Sequence, residues 1–202
     1  ELPETKPVPT KNIGSSLLLH LSDLHFGKVI KDPLTGAVRF NSERAKRRMS
    51  HISDIATSLA LSGDIEEAVV ILGGDIVDNE LIFPSQAHHI DKPVLSQTQD
   101  AITSIWSLLK ILEEHVPVRV ITCRGNHGRL KGTTAAEESN WDEMVYVAID
   151  LLARESGLNI HIKRSEWEIN KFQIQGWTGL VRHHGPQHAA TAGPKATYGG
   201  WY

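Results

Sequence analysis

AVVILGGDIVD, residues 68–78, begins as an apolar run and ends in two acids, with a glycine pair between. Five consecutive apolar residues followed by Gly73 and Gly74 predict a short strand covered on both faces, as in a parallel sheet. Such a strand would deliver Asp75 and Asp78 into the loop at its carboxyl end. Upstream, SLLLHLS (residues 16–22) has the same character and runs into Asp23 and His25. Downstream, VRVITC (residues 118–123) runs into RGNHGR, which carries Asn126 and His127.

Helical periodicity fills the gaps between these strands. Ala45, Met49, Ile52, Ala56 and Leu59 recur at spacings of three and four over Asn41–Leu61, and Gly63 ends the pattern. Ile102, Ile105, Leu109 and Leu112 predict a second helix over Ser96–His115, with Ser96 and Gln99 at capping-box spacing and Pro117 beyond it. Asn140–Ser156 reads as a third, closed by Gly157. Alternation of strand and helix predicts an α/β fold. After Gly157 the pattern changes: NIHIKR, EWEIN, KFQIQG and TGLVR are short, alternating and separated by few residues, so they predict strands without intervening helices.

The 202 residues suit one domain, placed at residues 16–202 behind a flexible arm, residues 1–15, that holds Pro3, Pro7 and Pro9. The last 18 residues, from Gly185, hold four glycines and two prolines and read as loop, which leaves the fold without a closing strand and points to a C-terminally incomplete domain. With 40% hydrophobic and 22% charged residues the composition is globular, and no apolar run approaches the roughly 20 residues that cross a bilayer. A lone Cys123 and a start lacking signal-peptide features predict a reducing, cytoplasmic setting. The net charge of −3 argues against a wholly basic nucleic-acid binder, while 11 His favour metal or proton chemistry.

Ligands of open α/β sheets bind beyond the carboxyl ends of parallel strands, so the loops after the three apolar runs should converge. One Asp or His after a strand is usually a turn former; three such loops in order are not so easily explained. Carboxylate, imidazole and amide oxygen together suit a borderline divalent metal such as Mn, Fe or Zn.

The set SDLHFG, LGGDIVDN and RGNHG resembles, in order, the first three motifs of the calcineurin-like metallophosphoesterases, over about residues 17–184. The resemblance implies a two-layer β-sandwich flanked by helices with two divalent metal ions at one edge, Mn first among them. By motif, Asp23 and His25 would hold the first metal, Asp75 would bridge both, and Asn126 would hold the second. His127 would be the general acid or phosphate-contacting imidazole, with Asp78 hydrogen-bonded to it. A later His completes the pattern: His183 is the choice, with His184 and His188 as alternatives in the same run. The family's Gly-His-x-His motif does not occur between His188 and Tyr202, which leaves each metal one ligand short and again suggests truncation.

Arg124 and Arg129 flank the third motif and are candidates for substrate phosphate, against the reading of ordinary surface arginines. Arg44, Lys46, Arg47 and Arg48 offer a basic helix face, more often solvated than nucleic-acid-binding. His88 and His89 fall in a polar loop and read as surface residues. The function expected is metal-dependent hydrolysis of a phosphodiester, by a nuclease or nucleotide phosphodiesterase, with a phosphate ester or nucleic acid as partner and no membrane. A non-catalytic binding scaffold on the same fold is the competing reading.

Overall fold

A computed structural model describes residues 14–130, 139–165 and 169–183. Four strands, β1 (Ser15–Leu21), β4 (Ile65–Leu72), β5 (Val118–Thr122) and β6 (Ile160–Lys163), form a parallel sheet in that order. Between them lie α1 (Ser42–Ser62), α2 (Val94–Glu113) and α3 (Trp141–Ser156). Because strand order follows chain order, every right-handed crossover falls on the same side, and all three helices cover one face. Two antiparallel pairs complete the described elements: β2 (Ile30–Lys31) with β3 (Val38–Phe40), and β7 (Asn170–Ile174) with β8 (Trp177–Val181).

Alternation along the strands sorts their side chains. Ala68, Val70, Leu72, Val118 and Val120 face the helices and join Ile105, Leu108, Leu109, Leu112, Tyr146 and Ile149 in the main core. Val69, Ile71, Ile121 and Cys123 face the other way, where Phe172 and Val181 of the β7–β8 hairpin cover them. Each fully buried Leu or Ile of α2 contributes about 1.5–3 kcal/mol, so the helix face carries most of the burial energy. Cys123 is packed core, as its place on an apolar strand suggests.

Local signals explain the element ends and the departures from expectation. Asn41 caps α1 by accepting from the Arg44 amide at 3.0 Å, and Asn140 caps α3 through the Asp142 amide at 2.8 Å. Gly157 ends α3 in the left-handed conformation its sequence position suggests. The expected Ser96–Gln99 capping box does not form: α2 starts at Val94, after Pro93, whose fixed φ suits the cap position. NIHIKR joins the parallel sheet as β6 because α3 supplies a crossover. EWEIN is no separate strand among the described residues: Ile169 is outside any strand, Asn170 opens β7, and residues 166–168 lie outside the described set. β2 and β3 have no counterpart in the sequence reading, since two and three residues are too short for a periodicity. Residues 1–13 of the expected arm and residues 184–202, on which the expectation of an incomplete domain rests, lie outside the described residues. Among the described residues no helix is long and apolar enough to cross a membrane.

Candidate metal centre

The carboxyl ends of β1, β4 and β5 lie in register, with Leu21 beside Leu72 and Leu72 beside Thr122. Backbone pairing then continues past the strand ends. The Asp23 amide donates to the Gly74 carbonyl at 3.0 Å, the His25 amide to the Asp75 carbonyl at 3.0 Å, and the Phe26 amide to the Ile76 carbonyl at 2.9 Å. To make these turns Asp23, His25, Asp75 and Asn79 adopt positive φ, of 55°, 46°, 51° and 68°. Left-handed backbone costs roughly 1–2 kcal/mol for most residues, so the surrounding bonds must hold it in place. Gly74 and Gly125 permit the loops to touch: a Cβ on Gly74 would lie 2.6 Å from the Gly125 nitrogen, and one on Gly125 would lie 2.1 Å from the Asp75 nitrogen.

The resulting side-chain arrangement centres on Asp75, which is 3% exposed. His183 Nε2 lies 3.2 Å from Asp75 Oδ2, and the Nε2 atoms of His25 and His127 each lie 3.9 Å from the same oxygen. Asp23 Oδ1 approaches His25 Nε2 to 3.7 Å. The other Asp75 oxygen accepts from the His127 amide at 2.8 Å.

His183 and His127 are held through their second ring nitrogen, and that of His25 faces Asp78. His183 Nδ1 lies 2.7 Å from the Gly73 carbonyl oxygen, which can only accept, so Nδ1 carries the proton and Nε2 is the unprotonated nitrogen of the neutral ring. Asp78 Oδ1 lies 3.0 Å from His25 Nδ1 and 3.2 Å from His127 Nδ1, and the Asp78 carbonyl lies 3.1 Å from His127 Nδ1. The carboxylate contacts are short but poorly aligned, and neither His25 Nδ1 nor Asp78 Oδ1 finds a well-formed hydrogen bond.

Burial and charge pull against each other in this cluster. Burial works to raise the Asp78 carboxyl, but the imidazoles of His127 and His25 and the ammonium of Lys28, 3.6 Å away, hold it well below the usual range. Asp75 is lowered in the same way, burial being outweighed by His183 and the His127 amide. Burial favours neutral His127 and His183, yet Asp78 and Asp75 respectively raise them.

Two groups of donors could each hold a divalent cation: Asp23, Asp75 and His183 in one, His25, Asp78 and His127 in the other. Donors bound at about 2.0–2.2 Å to one cation stand roughly 3–3.5 Å apart when adjacent, the spacing that His183 Nε2 has to Asp75 Oδ2. The mix of carboxylate and imidazole also suits Mn, Fe or Zn. The site therefore fits a metal.

Of the residues expected from sequence, Asp23, His25, Asp75, Asp78, His127 and His183 are brought together. Asn126 stands one residue before His127 in the same loop, and Arg124 begins that loop. Arg129 is exposed, its guanidinium 5.9 Å from the Phe83 ring, which in turn packs 4.8 Å from His127. His184 and His188 lie outside the described residues.

Several residues at the site have no motif to announce them. Asp142, in the first turn of α3 and wholly buried, accepts from the amides of Asp75 and Gly125 at 2.9 Å, Ile76 at 3.0 Å and Val77 at 3.4 Å. One carboxylate thus ties the second and third loops together. Burial pushes its carboxyl up to about 6 against amide donors that favour the ionised form. Gln86 accepts from the amides of Ile82 and Phe83 and donates to the Asp78 carbonyl, placing its amide nitrogen 3.5 Å from His127 Nδ1. An acid in a first helical turn was the available signal for Asp142; Gln86 and Phe83 sit in a polar loop with none.

No family model matches the chain, and no curated protein matches it. Among solved structures it is similar to a phosphopantetheinyl hydrolase from Mycobacterium tuberculosis, at 15% identity and a TM-score of 0.33. The likeness covers 86% of this chain and 46% of that one, so the chain spans less than half the length of that protein. A likeness this loose fixes neither fold nor chemistry.

Proposed function

We propose that this chain is a metal-dependent hydrolase of phosphodiesters, of the calcineurin-like metallophosphoesterase type. The observation that carries the reading is the convergence of three imidazole Nε2 atoms on one buried oxygen, Asp75 Oδ2, at 3.2, 3.9 and 3.9 Å. A hairpin on the face opposite the helices is what a two-layer sandwich requires, and it supports that architecture.

Asp23, His25, Asp75, Asn126 and His183 would hold two divalent cations, with Asp75 shared and Mn the leading candidate. Bound there, they would supply Lewis-acid polarisation of the phosphate and acidify an attacking water. Asp75, if shared by the two cations, would lower their mutual repulsion. His127, anchored by Asp78 at Nδ1, turns Nε2 toward the cluster, where it can deliver a proton to the departing alkoxide. Phe83 packs against that ring. Arg129, at the rim beyond Phe83, and Arg124 are the cations placed to meet phosphate oxygens. A nuclease or a nucleotide phosphodiesterase fits this site.

The test is Mn titration by calorimetry beside hydrolysis of bis(nitrophenyl) phosphate. Asp75→Asn should lose both metal binding and turnover, whereas His127→Ala should keep metal and lose about 10²–10⁴-fold in turnover of an alkyl diester. Metal binding without any hydrolysis by the unaltered protein would favour the scaffold reading. Absence of metal binding would overturn the metal centre itself.

A further inference from the structure

Beside the metal-binding cluster runs a groove of about 360 Å³, lined by Val29, Ile30, Lys31, His88 and His89. Its two walls are Val29 with β2 and the 3₁₀ turn Gln86–His89, which continue the segments that carry Asp23 and His25 after β1 and Asp75 and Asp78 after β4. They are pinned to each other: the Val29 amide donates to the His89 carbonyl at 2.7 Å and the Asp91 amide to the Gly27 carbonyl at 2.8 Å. They are also pinned to the cluster. Lys28, one residue before the groove, reaches Asp78 at 3.6 Å. Gln86, which heads the short 3₁₀ turn Gln86–His89, donates to the Asp78 carbonyl. Three residues of extended chain span at most about 11 Å, so Lys31 lies within that distance of Lys28 along the backbone.

The carboxylates next in sequence to this groove are turned to other partners. Asp32 is spent on the amides of Leu34 and Thr35, at 2.9 and 2.8 Å, and on Arg39. Asp91 is spent on Ser42, whose amide and hydroxyl both donate to it at 2.7 Å. Among the described residues no carboxylate pairs with Lys31, His88 or His89. One ammonium and two imidazoles therefore line the groove together with Val29 and Ile30. An ammonium without a carboxylate partner, set beside two imidazoles that can donate or accept, can hold an anion. Carboxylates and phosphates both qualify, but the neighbouring cluster suits a phosphate ester, and the anion nearest a scissile phosphate is the next phosphate of the same molecule.

We infer that the groove between the loops after β1 and β4 is a subsite for a further phosphate of the substrate, held by Lys31, His88 and His89. The inference rests on the proposed hydrolysis for the identity of the anion. It distinguishes a substrate with several phosphates from a simple diester. Such phosphates come either from a nucleic-acid strand or from a nucleotide polyphosphate.

The decisive variant is Lys31→Ala with His88→Ala and His89→Ala. All three side chains are exposed, and the backbone bonds of the groove survive the changes, so folding should be unaffected. Binding of a labelled oligothymidylate and of ATP is measured by anisotropy and competition, with turnover of bis(nitrophenyl) phosphate alongside. The variant should bind the oligothymidylate about tenfold or more weakly, with the salt dependence shallower by about one phosphate contact or more, while turnover of the simple diester is unchanged. Weakening for the strand alone assigns the subsite to a neighbouring nucleotide, and weakening for both assigns it to any adjacent phosphate. Unchanged binding of both probes overturns the inference and leaves the hydrolase reading intact. If the unaltered protein hydrolyses no diester, the hydrolase reading fails, and the binding comparison still decides the groove.

Discussion

Among the described residues, three helices on one face of the sheet bury Ile105, Leu108, Leu109 and Tyr146 completely, while on the other a hairpin covers Val69, Ile71 and Ile121 and leaves Leu18, Trp177 and Leu180 half exposed or more. Both faces send residues to the same cluster. From the helix face comes Asp142, which fixes the loops of Asp75 and Gly125; from the hairpin face comes His183, two residues beyond the end of β8. The difference separates two tasks. The helix side sets whether the loops exist in their strained form, while the hairpin side sets whether the donor set around Asp75 is complete.

Asp142→Asn is the sharpest attack on the first task. The amide keeps the volume but turns one of two acceptor oxygens into a donor, facing backbone N–H groups that then have no acceptor. Each buried donor left unmet costs about 1–3 kcal/mol, so a loss of about 2–4 kcal/mol in urea unfolding is expected. Mn affinity should fall with it, because Asp75 and Gly125 are no longer drawn together. A change below about 0.5 kcal/mol would show that the loops hold themselves and would break the comparison at its stronger side.

How much of this could be read from sequence follows the same division. Asp23, Asp75 and His127 were legible because short apolar strands followed by Gly, Asp or His carry a local signature, and His183 because it follows another strand directly. Asp142 was not. Its partners at positions 75–77 are 65 to 67 residues away, and hydrogen bonds to backbone amides impose no pattern on the residues that donate. Gln86 escaped because its partners are backbone groups, and Phe83 because a ring contact with His127 leaves no local pattern. The α2 start was misplaced by two residues because Ser96 and Gln99 have capping chemistry, yet Pro93 suits the cap without a side-chain bond. The fourth parallel strand was anticipated as a strand but not as a sheet member, since alternation identifies an element and says nothing of its neighbour.

The second task can be attacked at Phe172, whose ring lies across Gly179 of the partner strand, so close that a Cβ there would fall 2.3 Å from it. Phe172→Ala should destabilise by about 1–3 kcal/mol, below the usual cost of losing a core Phe, because the cluster it anchors is small and one-sided. Leu109→Ala on α2 should cost about 3–5 kcal/mol. Metal affinity should order them the other way: Phe172→Ala loosens β8 and with it His183, and should weaken Mn binding about tenfold, while folded Leu109→Ala binds as before. Equal metal affinity in the two variants would remove the division of labour.

The smallest effect belongs to the far end of the hairpin. Arg119 of β5 holds Glu67 of β4 at 2.9 and 3.0 Å from one guanidinium nitrogen, and a second nitrogen donates to the Gln173 carbonyl of β7 at 2.6 Å. Glu67 also accepts from Ser16 at 3.0 Å, and Gln175 donates to Ser16 at 2.7 Å, so a polar bridge fastens the hairpin to three strands away from the cluster. Both charged side chains are 29% exposed, and solvent screens such a pair, which limits its worth to about 0.2–1 kcal/mol. Glu67→Gln should therefore shift unfolding by no more than that at low salt and by less at about 1 M salt, where the screening length falls to about 3 Å. The Arg119 bond to Gln173 survives the substitution, so β7 should stay in place and Mn affinity should not move. A drop in Mn affinity as large as that of Phe172→Ala would mean that His183 is positioned through this polar bridge rather than through the apolar contact of the hairpin.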